Sequence, residues 1–149
     1  MDNYEIEQNF ERIYRDFRLR LYKYIFSVMG EREGSLTVTE FFSVETIALM
    51  GSPTVSEFAD ALSITSSHAA YKVRQLIEKG YVTKTPTDDK RTFKLEVTDK
   101  FKKYYHEKNA YGNYIFKVLS KAMSAEELSV TDGLFKKFVQ TIEKEKTDD

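Results

Sequence analysis

The sequence predicts a mainly α chain (α+β): a winged helix-turn-helix with long N- and C-terminal dimerisation helices. Three observations carry this. Apolar residues recur at spacings of 3 and 4 over most of the chain. Two capping boxes, Thr37-Val38-Thr39-Glu40 and Thr54-Val55-Ser56-Glu57, open short helices in close succession. The period then changes to 2 over two short stretches parted by a polar turn, which reads as a β-hairpin.

The first helix is expected from about Tyr4 to Met29, with Phe10, Ile13, Tyr14, Phe17, Leu21, Tyr24, Ile25 and Val28 on one stripe. At ~1.5 Å per residue it is nearly 40 Å long, more than one small domain needs. Gly30 and Gly34 are expected to end it. The second helix carries Phe41, Phe42, Val44, Ile47, Ala48 and Leu49 and stops at Gly51-Ser52-Pro53. The third turns Val55, Phe58, Ala59 and Leu62 inward. After a turn at Ser63-Ile64, Thr65 caps a fourth helix reaching Lys79, with Ala69, Val73, Leu76 and Ile77 buried and Gly80 as its stop.

Tyr81–Thr85 and Thr92–Val97 are the expected strands, and Pro86–Lys90 their turn. Thr98 is expected to cap a long helix carrying Phe101, Tyr104, Tyr105, Tyr111, Ile115, Val118 and Leu119, bent at Gly112. A third capping box, Ser124-Ala125-Glu126-Glu127, opens a last helix with Leu128, Leu134, Phe135, Phe138, Val139 and Ile142. The polar tail EKEKTDD is expected to fray. The 149 residues suit a single domain, 1–149, with a winged core over 37–98 and a helical dimerisation region over 1–34 and 99–147.

Composition excludes several function classes. With 41% hydrophobic and 32% charged residues the chain is expected neither disordered nor in a membrane. No apolar run approaches the ~20 residues of a bilayer span. The N-terminus, MDNYEIEQNFERIYRDF, is charged throughout, unlike a signal peptide, so a cytoplasmic chain is expected. The absence of cysteine removes disulfides, thiol sensing and thiolate zinc sites. The two histidines, His68 and His106, lie far apart without a ligand-spaced carboxylate cluster, so no metal is expected. No nucleophile–base arrangement or glycine-rich phosphate loop is present, so neither an enzyme nor a cofactor is called for.

The net charge of −1 hides a polarity. Residues 1–64 carry 6 basic against 11 acidic residues, residues 65–103 carry 10 against 5, and residues 104–149 carry 7 against 8. A segment at +5 between acidic or neutral neighbours suits a polyanion, with chance clustering as the competing reading. It coincides with the fourth helix and the hairpin. A helix-turn-helix lays its second helix in the major groove of double-stranded DNA. The DNA-binding candidates there are Thr65, Ser66, Ser67, His68, Tyr71, Lys72, Arg74 and Gln75. Hydroxyls and free amides at the helix start suit phosphates; His68, Tyr71 and Lys72 are better placed for base edges. At the hairpin tip, Lys90 and Arg91 are the candidates: a guanidinium suits the negative potential of a narrow minor groove. Asp89 can support Arg91 through a hydrogen-bonded pair; simple stabilisation of the turn is the alternative. Lys84, Lys94, Lys100, Lys102 and Lys103 divide evenly between phosphate contact and a solvated face.

The stretch LIEKGYVTKTPTDDKRTFKLEVTDKF, residues 76–101, resembles the multiple-antibiotic-resistance regulator (MarR) family. The match lies in Leu76, Glu78, Gly80, Asp89, Arg91, Leu95, Val97 and Thr98, and the order and length of the helices extend it over nearly the whole chain. The resemblance implies a homodimeric winged-helix transcription factor on a pseudo-palindromic operator, a repressor acting by occupancy. The family commonly places an arginine where Tyr71 aligns; this chain departs from it there.

The 10 tyrosines and 11 phenylalanines include many on the terminal helices, whose apolar surface exceeds what a winged helix covers. Phe10, Ile13, Phe17, Leu134, Phe135, Phe138 and Ile142 are therefore expected at a homodimer contact. Members of the family often bind small apolar or phenolic effectors where dimerisation and DNA-binding parts meet. Tyr14, Tyr24, Tyr104, Tyr105 and Tyr111, with Phe17 and Tyr22, are the residues for such a pocket, against plain aromatic dimer core as the alternative. Two other classes compete: a winged helix used for protein–protein contact, which the basic Lys72, Lys90 and Arg91 disfavour, and an aromatic-pocket enzyme, which lacks its catalytic groups.

Overall fold

The computed structural model describes the backbone of residues 3–28, 35–106 and 110–148, and the side chains of 3–27, 35–103 and 113–147. The expected stop at Gly30 and Gly34 lies outside the described residues. The chain divides into two compact units, Met1–Lys108 and Asn109–Asp149.

The first unit holds α1 (Asn3–Val28), α2 (Val38–Met50), α3 (Val55–Ala61), α4 (Ser66–Glu78), β1 (Val82–Pro86), β2 (Phe93–Val97) and α5 (Asp99–His106). Both expected capping boxes form. The Thr37 hydroxyl accepts from the Glu40 amide and the Glu40 carboxylate accepts from the Thr37 amide at 2.7 Å. Thr54 and Glu57 do the same at the start of α3. Gly51 ends α2 at φ +69°, left-handed backbone that a side chain resists.

The core is built where these short elements meet. Phe41, Phe58, Phe101, Ile25, Ile47, Leu76 and Leu95 are its largest fully buried side chains, with Val44, Val73 and Val82 beside them. Phe41 sits among rings, its centroid 6.4 Å from Tyr24 and 6.3 Å from Phe101. Among the described side chains of α1, Ile25 is buried and Leu21 and Tyr24 are half-covered, whereas Phe10, Ile13 and Tyr14 are exposed. In α2 the apolar residues divide: Phe41, Val44 and Ile47 are buried, Phe42 and Leu49 exposed.

The hairpin is antiparallel, pairing Val82 with Val97 and Pro86 with Phe93. Its base is fixed by Val82 and Leu95 in the core, and by the Leu95 amide donating to the Pro53 carbonyl at 2.8 Å. The loop before α3 thus covers part of the outer edge of β2, through Thr54 opposite Lys94.

Ser63, in the turn between α3 and α4, has φ +52°. A non-glycine residue there costs about 1 kcal/mol, so Ser63→Gly should raise stability by up to about that amount. Urea unfolding measures it; an unchanged midpoint would mean the turn carries no strain.

The second unit holds α6 (Ala110–Ala122) and α7 (Ala125–Asp148). The single long helix expected from Thr98 is described as α5 and α6, with 107–109 outside the described residues; Gly112 lies inside α6. The third capping box forms between Ser124 and Glu127, and its hydrogen bonds hold the Glu127 carboxyl below the usual range. The tail corrects the expectation of fraying: α7 is helical to Asp148. Glu143 to Lys146 are good helix formers with no breaker among them, and the Thr147 hydroxyl donates back to the Lys144 carbonyl. Leu134, Phe135, Phe138 and Val139 remain exposed along α7.

Candidate nucleic-acid interface

Helix α4 owes its orientation to one buried row. Ala69, Val73 and Leu76 are fully buried, at spacings of 4 and 3, and Ile77 is half-buried beside them. At ~100° per residue, Tyr71 then lies opposite this row, at the middle of the outward face. His68, Arg74 and Ser67 are exposed around it; Lys72 and Gln75 flank it half-buried. Thr65 caps the helix as expected, its hydroxyl accepting from the His68 amide at 3.2 Å. That hydroxyl also lies 3.3 Å from the Ser67 hydroxyl, while Ser66 is exposed. Gln75 Nε2 donates to the Tyr71 hydroxyl at 3.0 Å, an i,i+4 bond along the outward face.

The hairpin tip presents Asp88, Asp89, Lys90 and Arg91 exposed. Thr87 and Thr92 close it, their hydroxyls 2.6 Å apart and the Thr87 amide donating to the Thr92 carbonyl. Asp89 supports Arg91 differently from the expected side-chain pair: Asp89 Oδ1 accepts from the Arg91 backbone amide at 3.2 Å. Among the described residues no ion pair engages the Arg91 guanidinium. A two-residue separation favours this, because a carboxylate at i reaches the amide at i+2 as an Asx turn.

The far end of α4 is held by long-range contacts that the sequence pattern does not show. Lys79 Nζ pairs with Glu40 Oε2 at 2.7 Å and donates to the Ser35 carbonyl at 2.9 Å. Lys100 Nζ donates to the Lys79 carbonyl at 2.7 Å and lies 4.4 Å from the centre of the Tyr81 ring. Thr98 stands at the start of α5 as expected, its carbonyl accepting from the Lys102 amide at 3.0 Å, while its hydroxyl donates to the Gly80 carbonyl at 2.6 Å. Carbonyls at a helix end are unsatisfied acceptors, so they recruit it. Gly80 has φ +79°, which lets the chain leave α4 and enter β1. Burial pushes the Glu40 carboxyl up, and hydrogen bonds from Lys79 and Thr37 together with the Lys79 charge pull it below the usual carboxylate range. Burial raises the Tyr81 phenol, with opposing charge effects from Lys79 and Glu40. The one sequence signal was the double use of Glu40, since a capping carboxylate has a second oxygen lone pair to offer.

Other expected residues are dispersed. Phe10 stacks on Tyr14 at 5.9 Å, and the Arg18 guanidinium lies 4.7 Å from the Tyr14 ring centre. Phe17 is half-buried on α1 and Tyr22 exposed; Ile142 is exposed at the border of half-burial on α7. Tyr24 is engaged with Phe41. The side chains of Tyr104, Tyr105 and Tyr111 lie outside the described residues. Lys102 pairs with Asp99 at 3.7 Å in an exposed position, and Lys84 lies 6.0 Å from the Phe93 ring centre. Among the described residues no group of three or more metal-binding side chains assembles, and no helix is long and apolar enough to cross a membrane.

A short helix, a left-handed turn, an outward-facing helix and a β-hairpin whose tip exposes Lys90 and Arg91 beside Asp88 and Asp89 define a winged helix-turn-helix. Residues 36–93 match the model of the MarR family, which bears out the resemblance carried by residues 76–101. Solved structures share the fold over nearly the whole chain. A MarR-like transcriptional regulator from Thermotoga maritima is 24% identical with a TM-score of 0.60, covering 96% of this chain and 98% of that one. FabT of Streptococcus pneumoniae, solved in complex with DNA, is 20% identical with a TM-score of 0.64, over 96% and 99%. The YusO protein of Bacillus subtilis is 19% identical with a TM-score of 0.58, over 91% and 93%. No curated protein sequence matches the chain.

Proposed function

We propose that this chain is a cytoplasmic, homodimeric, sequence-specific double-stranded DNA-binding transcriptional regulator, a repressor that blocks transcription by occupying its operator. One observation carries the reading. From Thr65 to Ile77 the outward face of α4 bears no carboxylate, and the wing tip exposes Lys90 and Arg91 beside Asp88 and an Asp89 bonded to the Arg91 amide. A surface that offers hydroxyl, phenol, amide and cationic groups suits a groove floor flanked by phosphates. The likeness in fold to FabT, whose structure contains DNA, supports it. In this reading residues 37–98 are the DNA-binding core, and 1–34 with 99–147 the dimerisation region. Phe10, Ile13 and Phe17 on α1 and Leu134, Phe135, Phe138 and Ile142 on α7 contribute its apolar contacts. In this reading a small apolar or phenolic effector is sensed through tyrosines of the helical region, Tyr14 and Tyr24 on α1 among them. The bound effector holds the two recognition helices at a spacing that no longer matches adjacent major grooves.

Selection of bound DNA from a random pool, followed by footprinting, tests the reading. A pseudo-palindrome is expected, its half-site centres ~10 base pairs apart, as a twofold dimer on one face of the duplex requires. A single asymmetric half-site bound by one chain would contradict it, and no enrichment would favour a protein–protein winged helix. Lys72→Ala should then cost about 1 kcal/mol more on the selected operator than on scrambled DNA if Lys72 reaches a base. Equal losses on both would assign Lys72 to phosphate.

A further inference from the structure

The inference rests on the DNA-binding reading and concerns what the centre of the α4 face recognises. Tyr71 is 54% exposed at the position opposite the buried row, so a groove laid against α4 meets this phenol first. Its hydroxyl accepts the hydrogen bond from Gln75 Nε2. A phenol that accepts in this way keeps its own proton for another acceptor, and among the described residues the Tyr71 hydroxyl makes no further hydrogen bond. Gln75, with Nε2 turned to Tyr71, keeps its carbonyl oxygen as an acceptor. The pair therefore presents one oriented donor and one acceptor.

We propose that Tyr71 and Gln75 act as one base-reading unit specific for adenine, the Tyr71 hydroxyl donating to N7 and the Gln75 carbonyl accepting from the exocyclic N6 amine. Adenine is the purine whose major-groove edge shows an acceptor beside a donor; guanine shows two acceptors and would set its O6 against the Gln75 carbonyl. The hydrogen bond from Gln75 fixes the polarity of the pair, one donor beside one acceptor, so that it complements adenine and not guanine.

The test uses the full-length protein and an operator taken from the random-pool selection. One adenine per half-site should be sensitive to replacement by 7-deazaadenine, losing about five- to tenfold in affinity, the size of one hydrogen bond. Tyr71→Phe keeps the ring and should abolish that sensitivity. Gln75→Glu is the decisive variant. Its carboxylate has no proton to give, so Tyr71 must donate to it and turn its hydrogen inward. Sensitivity to 7-deazaadenine should vanish although Tyr71 is intact, and selection with this variant should lose the adenine preference at that position. Circular dichroism and dimer mass on both variants exclude misfolding as the cause. If Gln75→Glu keeps the wild-type sensitivity, or Tyr71→Phe leaves base preference unchanged on a palindromic operator, the coupled unit is wrong while the DNA reading stands. If the wild-type protein enriches no sequence, the DNA reading falls and the unit with it.

Discussion

Arg91→Ala should weaken binding to every operator variant by about 100-fold or more, the loss expected when a dimer forfeits one charge-assisted contact on each of two wings. The residue stands exposed at the tip, and its backbone is pinned by Asp89 while its guanidinium is left without an ion pair among the described residues. A minor groove reports width and A·T content more than base identity, so the loss should be uniform across sequences. The slope of log affinity against log salt should fall by about one counterion per half-site. Dimerisation should be unaffected. Asp89→Ala separates geometry from charge: it frees the tip but keeps the cation, so affinity should drop with the salt slope unchanged. Operator titrations at several salt concentrations, with scrambled DNA as control, measure all of this. Unchanged operator affinity of Arg91→Ala at physiological salt would remove the wing from the mechanism.

Glu40→Ala should destabilise the protein by about 2–3 kcal/mol, since it removes the N3 half of the α2 capping box and leaves the Lys79 ammonium without its carboxylate. Glu40 is 9% exposed and serves both ends of the arrangement: it receives the Thr37 amide at the start of α2 and Lys79 at the end of α4. The same residue governs acid stability. Its folded carboxyl lies below the usual range, so its contribution is complete above the ordinary glutamate pKa and disappears as pH falls through the lowered folded value. Urea unfolding from neutral pH down to about pH 3 should therefore show wild-type stability falling in acid, and Glu40→Gln should flatten that fall. Parallel curves for wild type and Glu40→Gln would mean that the Lys79 pair contributes nothing to folding.

Much of the local structure was legible because its causes are short-range. The three capping boxes form within four residues each, and Thr65 caps α4 through an amide three residues on. The row Ala69, Val73, Leu76 was readable from spacing alone, and with it the outward face carrying Ser67, His68, Tyr71 and Gln75. The hairpin followed from its change of period, with β1 shifted by one residue so that Pro86, expected in the turn, ends the strand, and with β2 starting one residue later. The tail of α7 was misread because polarity was taken for fraying, although Glu and Lys favour helix once a preceding helix supplies the nucleus.

By itself, then, the sequence determined most of the elements, their order, the buried row of α4 and the cations of the wing tip. Only the tertiary structure decided which polar side chains are tied down and which are available. Lys79 and Glu40 are 39 residues apart, and Lys100 reaches a carbonyl 21 residues before it. Nothing in a local window distinguishes these lysines from Lys102, which pairs in the open with a neighbour three residues away. Thr98, a good cap by type, gave its hydroxyl to Gly80 because the hairpin brings that carbonyl back beside it. Periodicity and caps act within one or two turns of backbone, whereas a long polar side chain takes whichever partner the packing of distant segments sets within its reach.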